Sequence, residues 1–247
     1  MSKQGFFSIG EAAQFLSVSI DTLRRWETKG LLKANRFTPG GYRYYDPRDL
    51  EVRLSQIESL AAAAERWALW TQGSFEPPHD YYCQSPDVFS ARLDRLRSEL
   101  EKRVGKDMAP TIAAAVGEIG NNSFDHNVGS WPDIRGIFFG YNLDKGEIVL
   151  ADRGQGILAT LQKVRPKLSS DLDALIVAFT EVVSGRSPEA RGNGLKFVRN
   201  TVRTTPIQLE FSSGDYEITM KRGTENMRLI NIPQRIRGCL AIIKILT

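Results

Sequence analysis

An apolar run, Val149-Leu150-Ala151, ends in the carboxylate Asp152, and glycines follow at 154 and 156. Few arrangements constrain a chain more. The run reads as a strand, and the glycines after it let the backbone approach another group closely. A carboxylate at a strand end can accept a hydrogen bond from an exocyclic amine. By itself the Asp-x-Gly-x-Gly pattern fits many strand-to-loop turns. Two further pieces of sequence narrow it.

The first lies upstream. Glu118, Asn122 and His126 stand four residues apart in a helical stretch, so an acid, an amide and an imidazole share one face. Such a row suits a polar site, and alone it also fits an ordinary amphipathic helix. The second lies downstream, in Gly185-Arg186-Ser187-Pro188-Glu189-Ala190-Arg191-Gly192-Asn193-Gly194-Leu195, where glycines open a helix. Exposed N–H groups and the helix dipole favour an anion there, and phosphate is the natural guest. Alone, this segment also fits a Gly-rich turn. No G-x-x-x-x-G-K-[ST] run is present, so phosphate binding of the P-loop kind is not expected.

The N-terminal fifty residues have a different character. They hold 8 basic and 5 acidic side chains, whereas the whole chain has a net charge of only +4. Ser8 and Glu11 form a capping-box pattern, predicting a helix from near Ile9. Ser19 caps a second, Ile20 to about Lys29, with Ile20 and Leu23 facing inward and Gly30 ending it. Two short helices joined by a tight turn make a helix-turn-helix. Arg36 to Tyr45, with Gly40-Gly41 at its turn, reads as a β-wing. Asp46-Pro47 then starts a helix that runs to about Trp70.

The remaining elements follow from the same signals. Residues 72–86, with Gly73, Pro77, Pro78 and Pro86, read as a linker. Helices are predicted over about 87–104, from Lys106 to Asn127, over about 157–183 with a break near Pro166, and from Gly192 to about Arg203. Strands are predicted at 136–142, 147–151, 206–212, 216–222 and 239–246. At roughly 150 residues per domain, 247 residues permit one large or two small domains. No run of about 18 apolar residues is present, so no membrane-spanning helix is expected. Two cysteines provide no disulfide framework, and two cysteines with two histidines argue against a zinc site. With no apolar leader stretch at the N-terminus, a cytoplasmic protein is expected.

The segment Phe7 to Leu54 resembles the MerR-type winged helix-turn-helix, including its excisionase-like branch. The resemblance rests on Ile9-Gly10-Glu11-Ala12-Ala13, Thr22-Leu23-Arg24-Arg25-Trp26-Glu27, Lys29-Gly30-Leu31-Leu32 and Gly40-Gly41-Tyr42-Arg43-Tyr44-Tyr45. It implies double-stranded DNA as a partner. Thr22, Arg24 and Arg25 would reach base edges, and Arg36, Tyr42 and Arg43 would reach phosphates from the wing. Trp26 reads as core, and Arg24 is placed to pair with Glu27 or Asp21.

In their order, the three C-terminal pieces resemble the N, G1 and G2 boxes of the GHKL ATPases. Ile236 to Leu246 is similar to that family's last strand, and the resemblance covers roughly Asp87–Thr247. The fold class it implies is α+β: an N-terminal winged helix-turn-helix and a C-terminal Bergerat-type sandwich, a mixed sheet covered by helices. The implied domains are 1–71, a linker at 72–86, and 87–247. The implied cofactors are ATP and Mg²⁺. Asn122 would hold the Mg²⁺, Glu118 would be the general base, and Asp152 would accept from the adenine amine. Gly154 and Gly156 would allow close approach, and Gly192, Asn193, Gly194 and Leu195 would hold the phosphates. His126 occupies a frequent polar position of the N box. Ile157–Arg191 would be the lid, with Arg186 or Arg191 either near the γ-phosphate or plain surface charge.

The expected function is that of a DNA-binding regulator gated by an ATPase module. The alternative is a serine/threonine kinase of the anti-sigma type, whose helix-turn-helix targets it and whose Glu118 activates a protein partner's hydroxyl. A third reading is an ATP-binding interaction module without turnover. A homodimer is also expected, through a helix after the wing. Leu50, Leu54, Ile57, Leu60 and Ala64 either line its seam or pack on their own domains.

Overall fold

A computed structural model describes residues 5–16, 18–37, 40–57, 59–69, 77, 79–181 and 194–246. The chain forms two compact units, Met1–Ser59 and Leu60–Thr247.

The first unit contains β1 (Phe7–Ser8), α1 (Ile9–Phe15), α2 (Ile20–Thr28), β2 (Arg36–Phe37), β3 (Arg43–Tyr45) and α3 (Pro47–Ile57). The Ser8 side chain caps α1 at the Glu11 N–H, and the Glu11 carboxylate accepts from the Ser8 N–H at 2.8 Å. Those bonds from Ser8 hold Glu11 down to about 2. Ser19 caps α2 through the Thr22 N–H at 3.1 Å, and Gly30 leaves that helix at φ +68°. The wing is present, and β1 adds a third strand that was not anticipated, in the order β1-β3-β2. Ala12, Leu16, Leu23, Tyr45 and Leu50 form the small core. Ile20, expected to face inward, is 39% exposed, because it stands at the first position of α2, outside that core.

The second unit runs through α4 (Leu60–Leu69), β4 (Tyr82–Cys83), α5 (Pro86–Val104), α6 (Ala109–Asn127), β5 (Ile137–Asn142) and β6 (Glu147–Asp152). It continues with α7 (Gly156–Gln162), α8 (Asp171–Thr180), α9 (Gly194–Thr204), β7 (Ile207–Lys221) and β8 (Arg228–Ile245). The strand order is β4-β5-β6-β8-β7, and every described pairing is antiparallel rather than mixed. Short turns join β5 to β6 and β7 to β8, and short turns can connect only antiparallel neighbours.

Alternation along the strands gives the sheet two buried faces. Phe139, Leu150, Phe211, Ala241 and Ile243 meet α5, α6, α8 and α9. Phe138, Val149, Ala151 and Leu240 meet Ala63, Ala64, Trp67 and Ala68 of α4. The helix expected to run unbroken from Pro47 to about Trp70 is therefore two helices, and the units divide at Ser59/Leu60. Its apolar side chains serve two cores: Leu50 is wholly buried in the first unit and Ala64 in the second. Leu50, Leu60 and Ala64 thus pack within their own units. The side chains of Leu54 and Ile57 lie outside the described residues.

Two further expectations change. Tyr82–Cys83, read as linker, pairs with β5, and the Tyr82 hydroxyl donates to the Arg135 carbonyl at 2.5 Å. Residues 206–212 and 216–222, read as separate strands, are one strand with register shifts at Ser213–Tyr216. Pro233 sits across from this irregularity, between the paired positions Asn231 and Ile236, where no ladder N–H is required.

Helices α5 and α6 approach closely at Gly120. A Cβ there would lie 2.2 Å from Cζ of Phe89, whose ring packs edge-on to Phe139 with centroids 5.1 Å apart. Gly120→Ala is expected to destabilise the protein by about 1–3 kcal/mol in urea unfolding, because overpacking outweighs the gain in helix propensity. An unchanged or raised midpoint would contradict this packing.

Candidate functional site

The side chain of Asp152 follows the β6 alternation, so it shares a face with Leu150 and points toward α6. It is 1% exposed. The Ser123 hydroxyl donates to Oδ2 at 2.7 Å, and the Gly154 N–H donates to Oδ1 at 2.8 Å. Burial pushes this carboxyl up from the ordinary range, opposed by those donors. Burial and the nearby Asp152 charge also push the Cys239 thiol well up.

The glycines around this carboxylate are spatial requirements. A Cβ on Gly238 would lie 2.3 Å from both the carbonyl oxygen and Oδ1 of Asp152. One on Gly154 would lie 2.1 Å from Nδ2 of Asn127. Gly156 begins α7 at φ +79° against the Arg237 carbonyl. Asn127 clamps the turn: its Oδ1 accepts from the Gln155 N–H at 3.0 Å, and its Nδ2 donates to the Ser123 carbonyl at 2.7 Å. On the other side, Ser213 Oγ accepts from the Ile157 N–H at 3.1 Å and donates to the Gly238 carbonyl at 2.8 Å.

The other pieces converge on the same helix. Glu118 and Asn122 are half-buried on α6, and a Cβ on Gly194 would lie 2.5 Å from Oε2 of Glu118 and 3.3 Å from Nδ2 of Asn122. The start of α9 therefore abuts the carboxylate–amide row, while Ser123 of the same helix reaches Asp152. Leu195 packs against the main core. His126 is exposed, and it meets the turn after β6 through its main-chain carbonyl, which accepts from the Gln155 side chain. Gly192, Asn193, Arg186 and Arg191 lie outside the described residues.

Sequence reasoning did not assign Ser123, Asn127, Ser213 or Gly238. Ser123 and Asn127 are four apart and flank the Asn122–His126 row, so a second helical row was there to be read. Ser213 and Gly238 sit on β7 and β8, and only the register brings them to Asp152.

In the first unit, Arg24 and Arg25 are exposed on α2, as is Tyr42 on the wing. Arg24 pairs with Asp21 at 3.2 Å, one of the two partners expected. Arg25 donates to the Thr22 hydroxyl at 3.2 Å. Glu27 instead receives Nε of Arg43 at 2.8 Å and the Tyr45 hydroxyl at 3.0 Å. Trp26 packs against the core, with the Arg53 guanidinium 4.3 Å from its ring centroid. The side chain of Arg36 lies outside the described residues.

Comparison with known proteins agrees with this N-terminal unit. The family model for MerR family regulatory proteins matches residues 8–45, so this segment is a MerR-type helix-turn-helix. No curated protein matches the chain. Among solved structures, the chain is similar to the 43K ATPase domain of Thermus thermophilus gyrase B in complex with an aminocoumarin. That match has 20% identity and a TM-score of 0.34, and covers 66% of this chain and 41% of that one. It is also similar to the topoisomerase IV ATP-binding domain of Francisella tularensis in complex with a small-molecule inhibitor. There the identity is 19% and the TM-score 0.30, covering 53% of this chain and 62% of that one.

The Ser123 donor favours the ionised form of Asp152, so removing it must raise that group further. Ser123→Ala is expected to move the Asp152 carboxyl titration upward in ¹³C NMR. It should also cost about 1–3 kcal/mol of stability at neutral pH. The cost shrinks as pH falls through the folded-state value, where the protonated carboxyl no longer needs the donor. A constant cost across that range would break the link to Asp152.

Proposed function

We propose that the second unit binds ATP with Mg²⁺, that the first binds double-stranded DNA, and that the chain is a DNA-binding regulator responsive to nucleotide. The observation that carries the nucleotide reading is the convergence on α6. A buried carboxylate held by Ser123 lies on one side, and Glu118 with Asn122 against the glycine-led start of α9 on the other.

Each piece then has a chemical task. The Asp152 carboxylate accepts from the adenine amine, a directional bond that discriminates bases whose exocyclic group is an acceptor. The missing side chains at Gly154 and Gly238 keep the carboxylate's surroundings narrow, and Gly156 permits the turn into α7. Backbone N–H groups at Gly192, Asn193, Gly194 and Leu195, with the α9 dipole, hold phosphate. Asn122 is the amide that would hold Mg²⁺, which supplies charge neutralisation at the phosphates. Glu118, beside it, is positioned to take a proton from a hydroxyl or water. His126, exposed, is assigned no contact with the nucleotide.

In the first unit, Thr22, Arg24 and Arg25 on the exposed side of α2 suit a major groove. Tyr42 and Arg43 suit the flanking phosphates. Glu27 holds Arg43 in place, so that contact is pre-oriented rather than free to search.

Isothermal calorimetry with Mg-ATP tests the pocket. Asp152→Asn is expected to weaken binding roughly tenfold to a hundredfold, the loss of a charge-assisted hydrogen bond, with circular dichroism unchanged. Glu118→Gln should retain ATP affinity while losing turnover. Equal affinity in Asp152→Asn and wild type would overturn the assignment of the pocket.

Selection of genomic DNA fragments at one fixed salt concentration, with and without Mg-ATP, tests the regulator. The proposal requires an enriched sequence and an ATP-dependent change in its affinity. Arg43→Ala should weaken that binding and lower its salt slope by about one unit, the loss of one phosphate contact. No enrichment in either condition would remove DNA from the proposal.

A further inference from the structure

One cluster, built around a buried arginine, has no role in the pocket chemistry. Arg153 follows Asp152, so its side chain crosses to the opposite face of the sheet, where it is wholly buried. Its Nη2 meets Oδ2 of Asp133 at 2.5 Å, and its guanidinium lies 5.8 Å from the Trp67 ring centroid of α4. Among the described residues its Nε and Nη1 have no hydrogen-bond partner. The same Asp133 oxygen also receives Nη2 of Arg237 at 2.6 Å.

The symmetry of this arrangement is informative. Arg153 adjoins Asp152 on β6, and Arg237 adjoins Gly238 on β8. Gly238 is the glycine that makes room for the Asp152 carboxylate. Both arginines thus sit directly behind the pocket, and one carboxylate draws them together. A buried guanidinium with unsatisfied N–H groups is a poor way to gain stability, since an apolar side chain of similar volume would avoid that cost. A single acid bridging two strand ends is, however, an effective way to fix their spacing.

We propose that Asp133, Arg153 and Arg237 form a clasp that positions Asp152 and Gly238 from the back of the sheet. Through Trp67 it links pocket geometry to α4, the first helix after the DNA-binding unit. The proposal rests on the nucleotide reading of Asp152. Nucleotide engaging Asp152 tightens the β6–β8 spacing, and Arg153 transmits that to the Trp67 face. The three clasp residues are positioning residues and touch no nucleotide. A two-state element that both ends bias is the physical content of such a link, and a chain of contacts is not enough.

The test is amide hydrogen exchange of the α4 peptide, residues 60–69, in the full chain with and without saturating Mg-ADP, alongside calorimetry. In wild type, nucleotide should slow exchange in α4. Asp133→Asn keeps shape and removes the bridging charge. It should raise the Mg-ADP dissociation constant about tenfold and abolish the α4 response even when the pocket is saturated. Trp67→Phe keeps an apolar ring and serves as the second variant, because Asp133→Asn could fail to fold. It should retain Mg-ADP affinity within about threefold and weaken the α4 response. If wild type binds no nucleotide, the nucleotide reading fails and the clasp with it. If wild type binds but α4 exchange does not respond, the clasp alone is wrong. A purely structural cluster would lower the melting temperature of both variants while leaving affinity and the α4 response as in wild type, and this too would overturn the proposal.

Discussion

The second unit is organised around a single buried carboxylate. An ionised Asp at a strand end is costly to bury unless donors surround it. Asp152 obtains them from the Ser123 hydroxyl on α6, from the Gly154 N–H of its own turn and from Cys239 on β8. Each donor imposes a constraint. Ser123 must face the sheet, which fixes the rotation of α6 and brings Glu118 and Asn122 to the start of α9. The Gly154 N–H must fold back, which places Gly154 against Asn127 and leaves no room for a Cβ. On β8 the carboxylate occupies the volume that a side chain at position 238 would need. The glycines of this region are therefore consequences of where one charge is kept.

Much of this was legible in the sequence because it is local. Helix faces follow from spacing: Glu118, Asn122 and His126 do lie along one helix, and Ser8 with Glu11 does form the capping box. The wing followed from Gly40-Gly41 between aromatic runs, and the segment matches the MerR model. What was not legible depends on register and on long-range pairing. Ser213 and Gly238 reach the site only because β7 and β8 pair with β6 in a particular alignment. Tyr82–Cys83 becomes a strand only because an edge of β5 is open to it. Two residues among prolines carry no strand periodicity of their own. The row of three on α6 shows the limit of spacing as a guide, because sharing a helix face did not give His126 the setting of Asn122. Farther along α6 it is exposed, and the turn after β6 uses its carbonyl instead.

The divided helix after the wing teaches a similar lesson. Continuous apolar spacing over residues 47–70 predicts one amphipathic element, whose apolar side chains either line a dimer seam or pack on their own domains. The apolar side chains described along it belong to two cores. Leu50 closes the first unit, while Ala63, Ala64, Trp67 and Ala68 cover the second face of the large sheet. Small residues suit that role because they let a helix lie close to a β-surface, and Trp67 fills the space they leave beside Phe138. A helical period tells which residues share a face. It does not tell how many bodies the face serves.

This division bears on how the two proposed functions would be connected. If nucleotide alters the affinity for DNA by some factor, DNA must alter the affinity for nucleotide by the same factor, because the coupling free energy is a property of the pair. A coupling of 1–3 kcal/mol, typical of allosteric proteins, needs only a modest difference in packing between two states. The back of the sheet is suited to store such a difference. Asp152 and Arg153 are consecutive residues facing opposite sides, so the pocket carboxylate cannot shift along β6 without moving a buried guanidinium held between Asp133 and Trp67. Close-packed interiors resist intermediate positions and favour discrete ones. In the proposed reading, a strand with a nucleotide acceptor on one face and a helix contact on the other would convert occupation of one into a choice of packing for the other.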